Sequence, residues 1–401
     1  MEDLKTQLNF DFSNPKSSLE KAGLTLAWIQ KVVLKAKNYN VKFLIELIKK
    51  QKINAISLNS WDDPICSNIL NRVKKILRDE STNRNDLLAV DMLHGLLLNS
   101  SDNMLSDYNS ETEEIYKEKI FEALNELQIE LENCQENISI QALEHIHSDE
   151  TIMTLGRSET VENFLQQAAK TRKFHVIIAE GDPSLSGHLL AKNLSSSLDQ
   201  NQLNANKNVG TGFLTSLSFS TAPTQTSSSF PSNSGLKVSV IPDSAIFAVM
   251  SRVNKVIVGA NLTLANGGVQ SLSGTFNMAA SAKHYSVPFI VCAGMFKLTP
   301  TYLPPRNNNL TPSCDYFDIC NDHMSSYENE GIKNQIKCHD IYNSEGVEFV
   351  TTQFDLVPPE LITVFISNTQ SKEHLRGSKT RKVFKELLKG EVTHHRMSTS
   401  L

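Results

Sequence analysis

The chain has 401 residues, 40% of them hydrophobic, and a formal net charge of −5. This length suffices for two or three domains with substantial cores, and the mild negative charge argues against a nucleic-acid surface as the main function. No run of about 18 apolar residues occurs, so no membrane span is expected.

The start, MEDLKTQLNFDF, is acidic and polar and lacks the apolar core of a secretion signal. Six cysteines (Cys66, Cys134, Cys292, Cys314, Cys320, Cys338) are too few and too scattered for a secreted disulfide framework. Cys292 lies in the apolar run PFIVCAG, where a reduced core thiol is expected. Together these features point to a cytosolic protein with no membrane partner.

Residues 1–150 read as a helical bundle domain. LAWIQKVVLKA, VKFLIELIKK, ICSNILNRVKKIL and AVDMLHGLLL have apolar residues three and four apart. In EEIYKEKIFEALNELQIELE, Phe121, Leu124, Leu127 and Leu131 share a face. Helices of this kind pack into a bundle.

Residues 151–401 read as an α/β domain. Predicted strands are FHVIIAE (174–180), KVSVI (237–241), KVIVGA (255–260), FIVCAG (289–294) and ITVFIS (362–367). Several are apolar nearly throughout, and they alternate with helical stretches. That combination marks a Rossmann-like, doubly wound parallel sheet buried on both faces. A Ser/Thr/Asn-rich segment at about 199–235 predicts a disordered insertion, and 303–350 predicts a long surface excursion.

Four features carry candidate chemistry. Asp243, in VIPDSAIFAVM, follows a strand and precedes a helix, so it reads either as an acid/base or as a helix N-cap, and the capping preference favours the cap. ANGGVQSLSGT (265–275) precedes a helix and reads as a tight turn more readily than as a phosphate cradle. Cys314, Cys320, His323, Cys338 and His339 cluster, but C-x5-C is not a usual zinc spacing, so no metal is expected. Glu118, Glu122, Glu126 and Glu130 recur every fourth residue, either as a solvated face or as a docking strip for a basic partner. The basic stretch from Lys372 to Lys389 fits a solvated helix better than a nucleic-acid site, and no direct nucleic-acid contact is expected.

Longer motifs narrow this reading. ENISIQALEHIHSDETIMTLGRSETVENFL (136–165), KFHVIIAEGDPSLSGHLLAKNL (173–194), DSAIFAVMSRVNKVIVGANLTLANGGVQSLSGT (243–275), ASAKHYSVPFIVCAGMFKL (280–298) and FDLVPPELITVFISN (354–368) resemble the alpha/beta/delta regulatory-subunit family of eukaryotic translation initiation factor 2B. EHIHS followed by IMT and SAIFAVMSRVNKVI points to the beta branch. The likeness runs from about residue 20 to about 370 and leaves out both insertions and the C-terminal stretch.

The resemblance implies a helical N-terminal domain and a Rossmann-like C-terminal domain that assembles with companion subunits into a two-fold symmetric decamer. The expected partners are the alpha, gamma, delta and epsilon subunits and the alpha subunit of translation initiation factor 2. Nucleotide exchange belongs to epsilon, while the beta chain senses phosphorylation of the substrate. The helical domains contact that substrate, which lends the glutamate stripe weight as a docking strip.

The same resemblance extends to sugar-phosphate isomerases, which use a cysteine in an ILTHC-like stretch, an aspartate in a DNA-like stretch and a lysine in an NKIGT-like stretch. Here Gly156 stands at the cysteine, Asp243 at the aspartate, Asn261 in GAN where the enzymes have GAD, and Leu272 at the lysine. Without thiol or phosphate clamp the isomerisation fails, so Asp243 is expected to be a retained helix cap beside a disused pocket. An isomerase-like enzyme and a ligand-sensing module using that pocket are the alternatives. No cofactor is expected.

Overall fold

A computed structural model of the chain describes residues 17–36, 43–48, 64–98, 104–182, 184–206, 236–300, 313–315, 350–368 and 375–376. Ser17 is extended, and its hydroxyl accepts the N–H of Glu20 at 3.2 Å, which starts helix α1 (Ser18–Leu34). Ala22, Thr25, Leu26, Ile29, Val32 and Val33, three and four apart, form its buried face. Helix α2 (43–48) buries Leu44 and Ile48. Helix α3 (Pro64–Leu98) starts on a proline, which fits the first helical position, and buries Ile65, Ile69, Val73 and Leu77. The stretches ICSNILNRVKKIL and AVDMLHGLLL, separate in the spacing, both lie on α3.

Helix α4 (Met104–Glu132) buries Ile120, Leu124, Leu127 and Leu131. Phe121, which the spacing placed on that face, is only partly buried, and Ile120 takes its place. Short helices α5 (Cys134–Ile140) and α6 (Ala142–His145) lead into the sheet.

The sheet region runs β1 (Thr151–Leu155), α7 (Glu159–Ala169), β2 (Phe174–Ala179), α8 (Ser186–Asn206), β3 (Leu236–Ile241), a 3-10 turn (Asp243–Ala245), α9 (Ile246–Met250), β4 (Lys255–Gly259), β5 (Leu262–Leu264) and β6 (Val269–Leu272). It continues with α10 (Thr275–His284), β7 (Phe289–Cys292), β8 (Leu298–Thr299), β9 (Ser313–Asp315), β10 (Val350–Thr352), β11 (Phe354–Val357), β12 (Val364–Ile366) and β13 (Leu375–Arg376).

Among the described residues the main sheet has the order β13-β12-β7-β4-β1-β2-β3, parallel except at β13. Counting the parallel strands in sequence, this is the 3-2-1-4-5-6 order of a doubly wound fold. One interior strand, β1, next to β4 at the middle of the sheet, is not among the strands predicted from the sequence. TIMTL is short and broken by two threonines, yet Thr154 is buried, on the same face of the strand as Ile152, whose cluster includes the helices packed on that side of the sheet. A smaller sheet, β11-β6-β5-β8, grows from the end of β4.

Strand side chains alternate between two cores. Ile152, Val176, Ile178, Ile257, Ile290 and Cys292 join α7, α8 and the N-terminal helices in one apolar cluster. Met153, Ile177, Val256, Val258 and Val291 join α9 and α10 in the other.

Helix α8 runs to Asn206, into the segment read as a disordered insertion. Residues 207–235 lie outside the described residues. Of the excursion at 303–350, residues 313–315 and 350 are described, and they pair as β9 and β10. Cys320, His323, Cys338 and His339, and all of the basic C-terminal stretch but Leu375 and Arg376, also lie outside. Among the described residues no helix is long and apolar enough to cross a membrane, and no group of three or more His, Cys, Asp or Glu could hold a metal.

Candidate functional site

In doubly wound folds ligands bind outside the carboxyl ends of the strands, where the strand order reverses. Here that place lies between the ends of β1 and β4. Gly156 ends β1, Gly181 follows β2, Asp243 follows β3, and Ala260 and Asn261 follow β4. The four relic-pocket positions therefore follow the strand ends or, for Leu272, close over them.

Gly156 has φ +55°, in the left-handed region that favours glycine. A Cβ there would lie 2.7 Å from Leu272 Cδ1 and 2.8 Å from Ser186 Oγ. Leu272 is thus more than the absence of a lysine, since its side chain fills the space a residue at 156 would need. Ser186 Oγ also accepts the N–H of Arg157 at 3.1 Å. At Gly259 a Cβ would meet Ser158 Oγ at 2.2 Å and Ser158 Cβ at 2.7 Å, so the side chain of Ser158 packs directly against the end of β4. Asn261 is half-buried, and its N–H donates to the carbonyl of Gln270 at 2.8 Å, tying the end of β4 to the small sheet.

Asp243 is not the helix cap expected from its position. The residue before its 3-10 turn is Pro242, and no side chain caps either that turn or α9. Instead Oδ1 accepts the N–H of Gly181 at 3.0 Å and Oδ2 that of Asp182 at 2.8 Å. The carboxylate braces the end of β3 to the loop after β2. A cap is read from neighbours along the chain, whereas these donors come from 61 and 62 residues away. Burial raises the carboxyl pKa of Asp182 above its ordinary value, and the nearby charges of Asp243 and Glu180 add to the rise.

The segment 265–275 resolves into a β-turn with Gly267 at φ +83°, strand β6, and Gly274 before α10. The N–H groups of Gly274 and Phe276, where an anion would sit, donate to Asp355 Oδ2 at 2.7 and 3.2 Å. FDLVPP thus supplies the carboxylate that caps α10, an interaction the sequence reading missed.

The glutamate stripe divides. Glu118, Glu122 and Glu126 are exposed, while Glu130 is half-buried. Each step of four residues turns about 40° around a helix, so over three steps Glu130 rotates about 120° from Glu118 and reaches inward. Its two oxygens accept from Arg72 Nη1 at 3.2 Å and Nη2 at 2.6 Å, a bidentate pair. Lys297 was also missed, although a lysine inside the apolar AGMFKL is a visible signal. It is 6% exposed and donates to the carbonyl of Ala260 at 2.7 Å. Burial pulls its ammonium pKa down to about 8, against the opposing pull of Cys134 and Glu159. Burial likewise pushes the Cys134 thiol up to about 11.

The profile of the Initiation factor 2 subunit family matches residues 24–198 and 231–369. The chain belongs to this family. Within it, the chain is 36% identical over 254 residues to translation initiation factor eIF2B subunit beta of Dictyostelium discoideum, a match covering 63% of this chain and 51% of that protein. The chain therefore spans about half the length of the curated relatives it matches. It is 22% identical over 266 residues to ribose 1,5-bisphosphate isomerase of Archaeoglobus fulgidus, covering 66% of this chain and 72% of the isomerase. The fold matches the crystal structure of eIF2B beta from Chaetomium thermophilum with TM-score 0.61 at 21% identity, covering 92% and 87% of the two chains. It also matches a chain of the tetrameric eIF2B-beta2-delta2 complex of C. thermophilum with TM-score 0.58 at 20% identity, covering 92% and 89%. This family member thus shares the helical N-terminal region and parallel-sheet domain of eIF2B structures.

Proposed function

We propose that this family member is a non-catalytic regulatory subunit of the guanine-nucleotide exchange complex for translation initiation factor 2, acting in assembly and in sensing phosphorylation of that factor's alpha subunit. The observation that carries this reading is the packing of Leu272 and Ser186 against Gly156. A glycine stands at the isomerase cysteine, with Leu272 and Ser186 where a thiol would begin. An acid/base pair needs both members, and the remaining one, Asp243, is committed to two backbone N–H groups. The same geometry weighs against a ligand-sensing pocket, since Asp355 already takes the α10 N-terminus.

The proposed partners are the alpha, gamma, delta and epsilon subunits and the alpha subunit of factor 2, in the cytosol. The relatives' eIF2B identity supports the first group. So do the exposed aromatics of α9 and α10. Phe247 is 50% exposed, and its ring lies 5.3 Å from those of His284 and Tyr285. Exposed aromatic patches of this kind mark protein contacts. The exposed carboxylates Glu118, Glu122 and Glu126 are proposed to dock a basic surface of the substrate.

Affinity capture of the tagged chain from its native cells, read by mass spectrometry, tests the assignment. The expected result is recovery of the four companion subunits. Recovery of the chain alone, together with turnover of an aldose phosphate that Asp243→Asn abolishes, would replace this reading with the isomerase.

A further inference from the structure

Glu130 belongs to the same helix as the exposed carboxylates but faces a different set of partners. Besides Arg72 of α3, its Oε1 accepts from Asn368 Nδ2 at 3.2 Å. Asn368 lies just beyond β12 and is 7% exposed. The other end of its amide, Oδ1, accepts the N–H of Met295, just beyond β7, at 2.9 Å. A chain of polar contacts thus runs from α3 through α4 to the tips of two strands, across 238 residues of sequence. Two further contacts flank it. Asn68 of α3 donates to the carbonyl of Phe296 at 3.4 Å, and Gln141 donates to the carbonyl of Ser367 at 2.8 Å.

We propose that Glu130 is a latch between the docking face of α4 and the tips of β7 and β12, and that a basic partner seated on Glu118, Glu122 and Glu126 loosens it. This rests on the docking reading above. The helix is continuous from Met104 to Glu132, so Glu118 and Glu130 lie about 18 Å apart on one stiff rod, and Glu126 is about one turn from Glu130. The side chains of Arg72 and Glu130 are 33% and 32% exposed, so a cation arriving one turn away competes with Arg72 for the carboxylate. The buried amide of Asn368 has both ends engaged, so the contacts of Glu130 and of Met295 are coupled through one rigid group. Loss of the first frees the amide to turn, and the N–H of Met295 then loses its acceptor. The structure holds the made arrangement, and the broken one is the state the seated partner is proposed to favour.

Hydrogen exchange at the N–H of Met295, measured by NMR or fragment mass spectrometry in the assembled complex, tests this. Without partner, Glu130→Ala is expected to speed exchange at Met295 by about fivefold, and the more local Asn368→Ser to do the same. With the wild-type chain, adding translation initiation factor 2 is expected to speed that exchange by about threefold or more, and Glu122→Gln with Glu126→Gln, which put no cation beside Glu130, to remove the change together with binding. Unchanged exchange in both Glu130→Ala and Asn368→Ser overturns the latch without reference to any partner. Binding of the factor with unchanged exchange at Met295 overturns the latch and leaves the docking reading standing. Equal binding by the glutamine variants refutes the docking reading, and the latch with it.

Discussion

At Gly156, φ +55° and the packing of Leu272 and Ser186 act on the same atom. A left-handed backbone costs a residue with a Cβ about 1–2 kcal/mol, and displacing Leu272 adds to that. Gly156→Cys is therefore expected to lower stability by about 2–4 kcal/mol in a denaturant titration and to confer no isomerase turnover. Leu272→Ala in the same chain should return the part due to Leu272 and leave the backbone part and the contact with Ser186. A neutral Gly156→Cys would show that Leu272 and Ser186 give way freely. Lys297 makes a different prediction. Its folded pKa of about 8 lies below the ordinary 10.5, so the folded state holds the proton less well than the unfolded chain. The resulting penalty is complete below about pH 8 and vanishes as pH rises from 8 to 10.5, where both states lose the proton. Lys297→Met is expected to be about 1–3 kcal/mol more stable than wild type at pH 7, after allowing for the lost bond to Ala260. That gap should close across pH 8–10.5, and a gap independent of pH would refute the assignment.

Helix α4 shows how an element divides its labour. Its apolar line at Ile120, Leu124, Leu127 and Leu131 was legible because burial repeats with the helical period, apart from the exchange of Phe121 for Ile120. The four glutamates repeat every fourth residue, slightly longer than the period, so the last turns inward to Arg72 while the first three stay in water. Reversing Glu122 and Glu126 to Lys should thus leave folding and subunit assembly intact, with thermal unfolding within a few degrees of wild type, and weaken substrate docking about tenfold or more. Wild-type affinity for both phosphorylated and unphosphorylated substrate would mean that these carboxylates only solvate the helix. Strand β1 makes the opposite point. Five residues with two threonines carry little pattern, and TIMTL becomes an interior strand only because β2 and β4 flank it.

At the scale of the molecule, the alternation of apolar strands with helices was enough to announce a doubly wound sheet, since a strand buried on both faces must be apolar on both. Family motifs likewise placed Gly156, Asp243, Asn261 and Leu272 together before any geometry was known. These are properties of neighbours along the chain, and local periodicity and motif order carry them. What the strand ends do with one another is not local. Asp243 became a brace because Gly181 and Asp182 present their N–H groups from across β2, and Asp355 reached α10 because β11 pairs with β6. Leu272 closed over Gly156 and Glu130 met Asn368 through contacts separated by more than a hundred residues. A hydrogen bond or a steric contact depends on distance in space, and sequence spacing reports that distance only within a helix turn or a strand pair. The kind of protein was therefore readable from residue order, whereas the packing at Gly156 and the seam between helices and sheet arose when the chain packed.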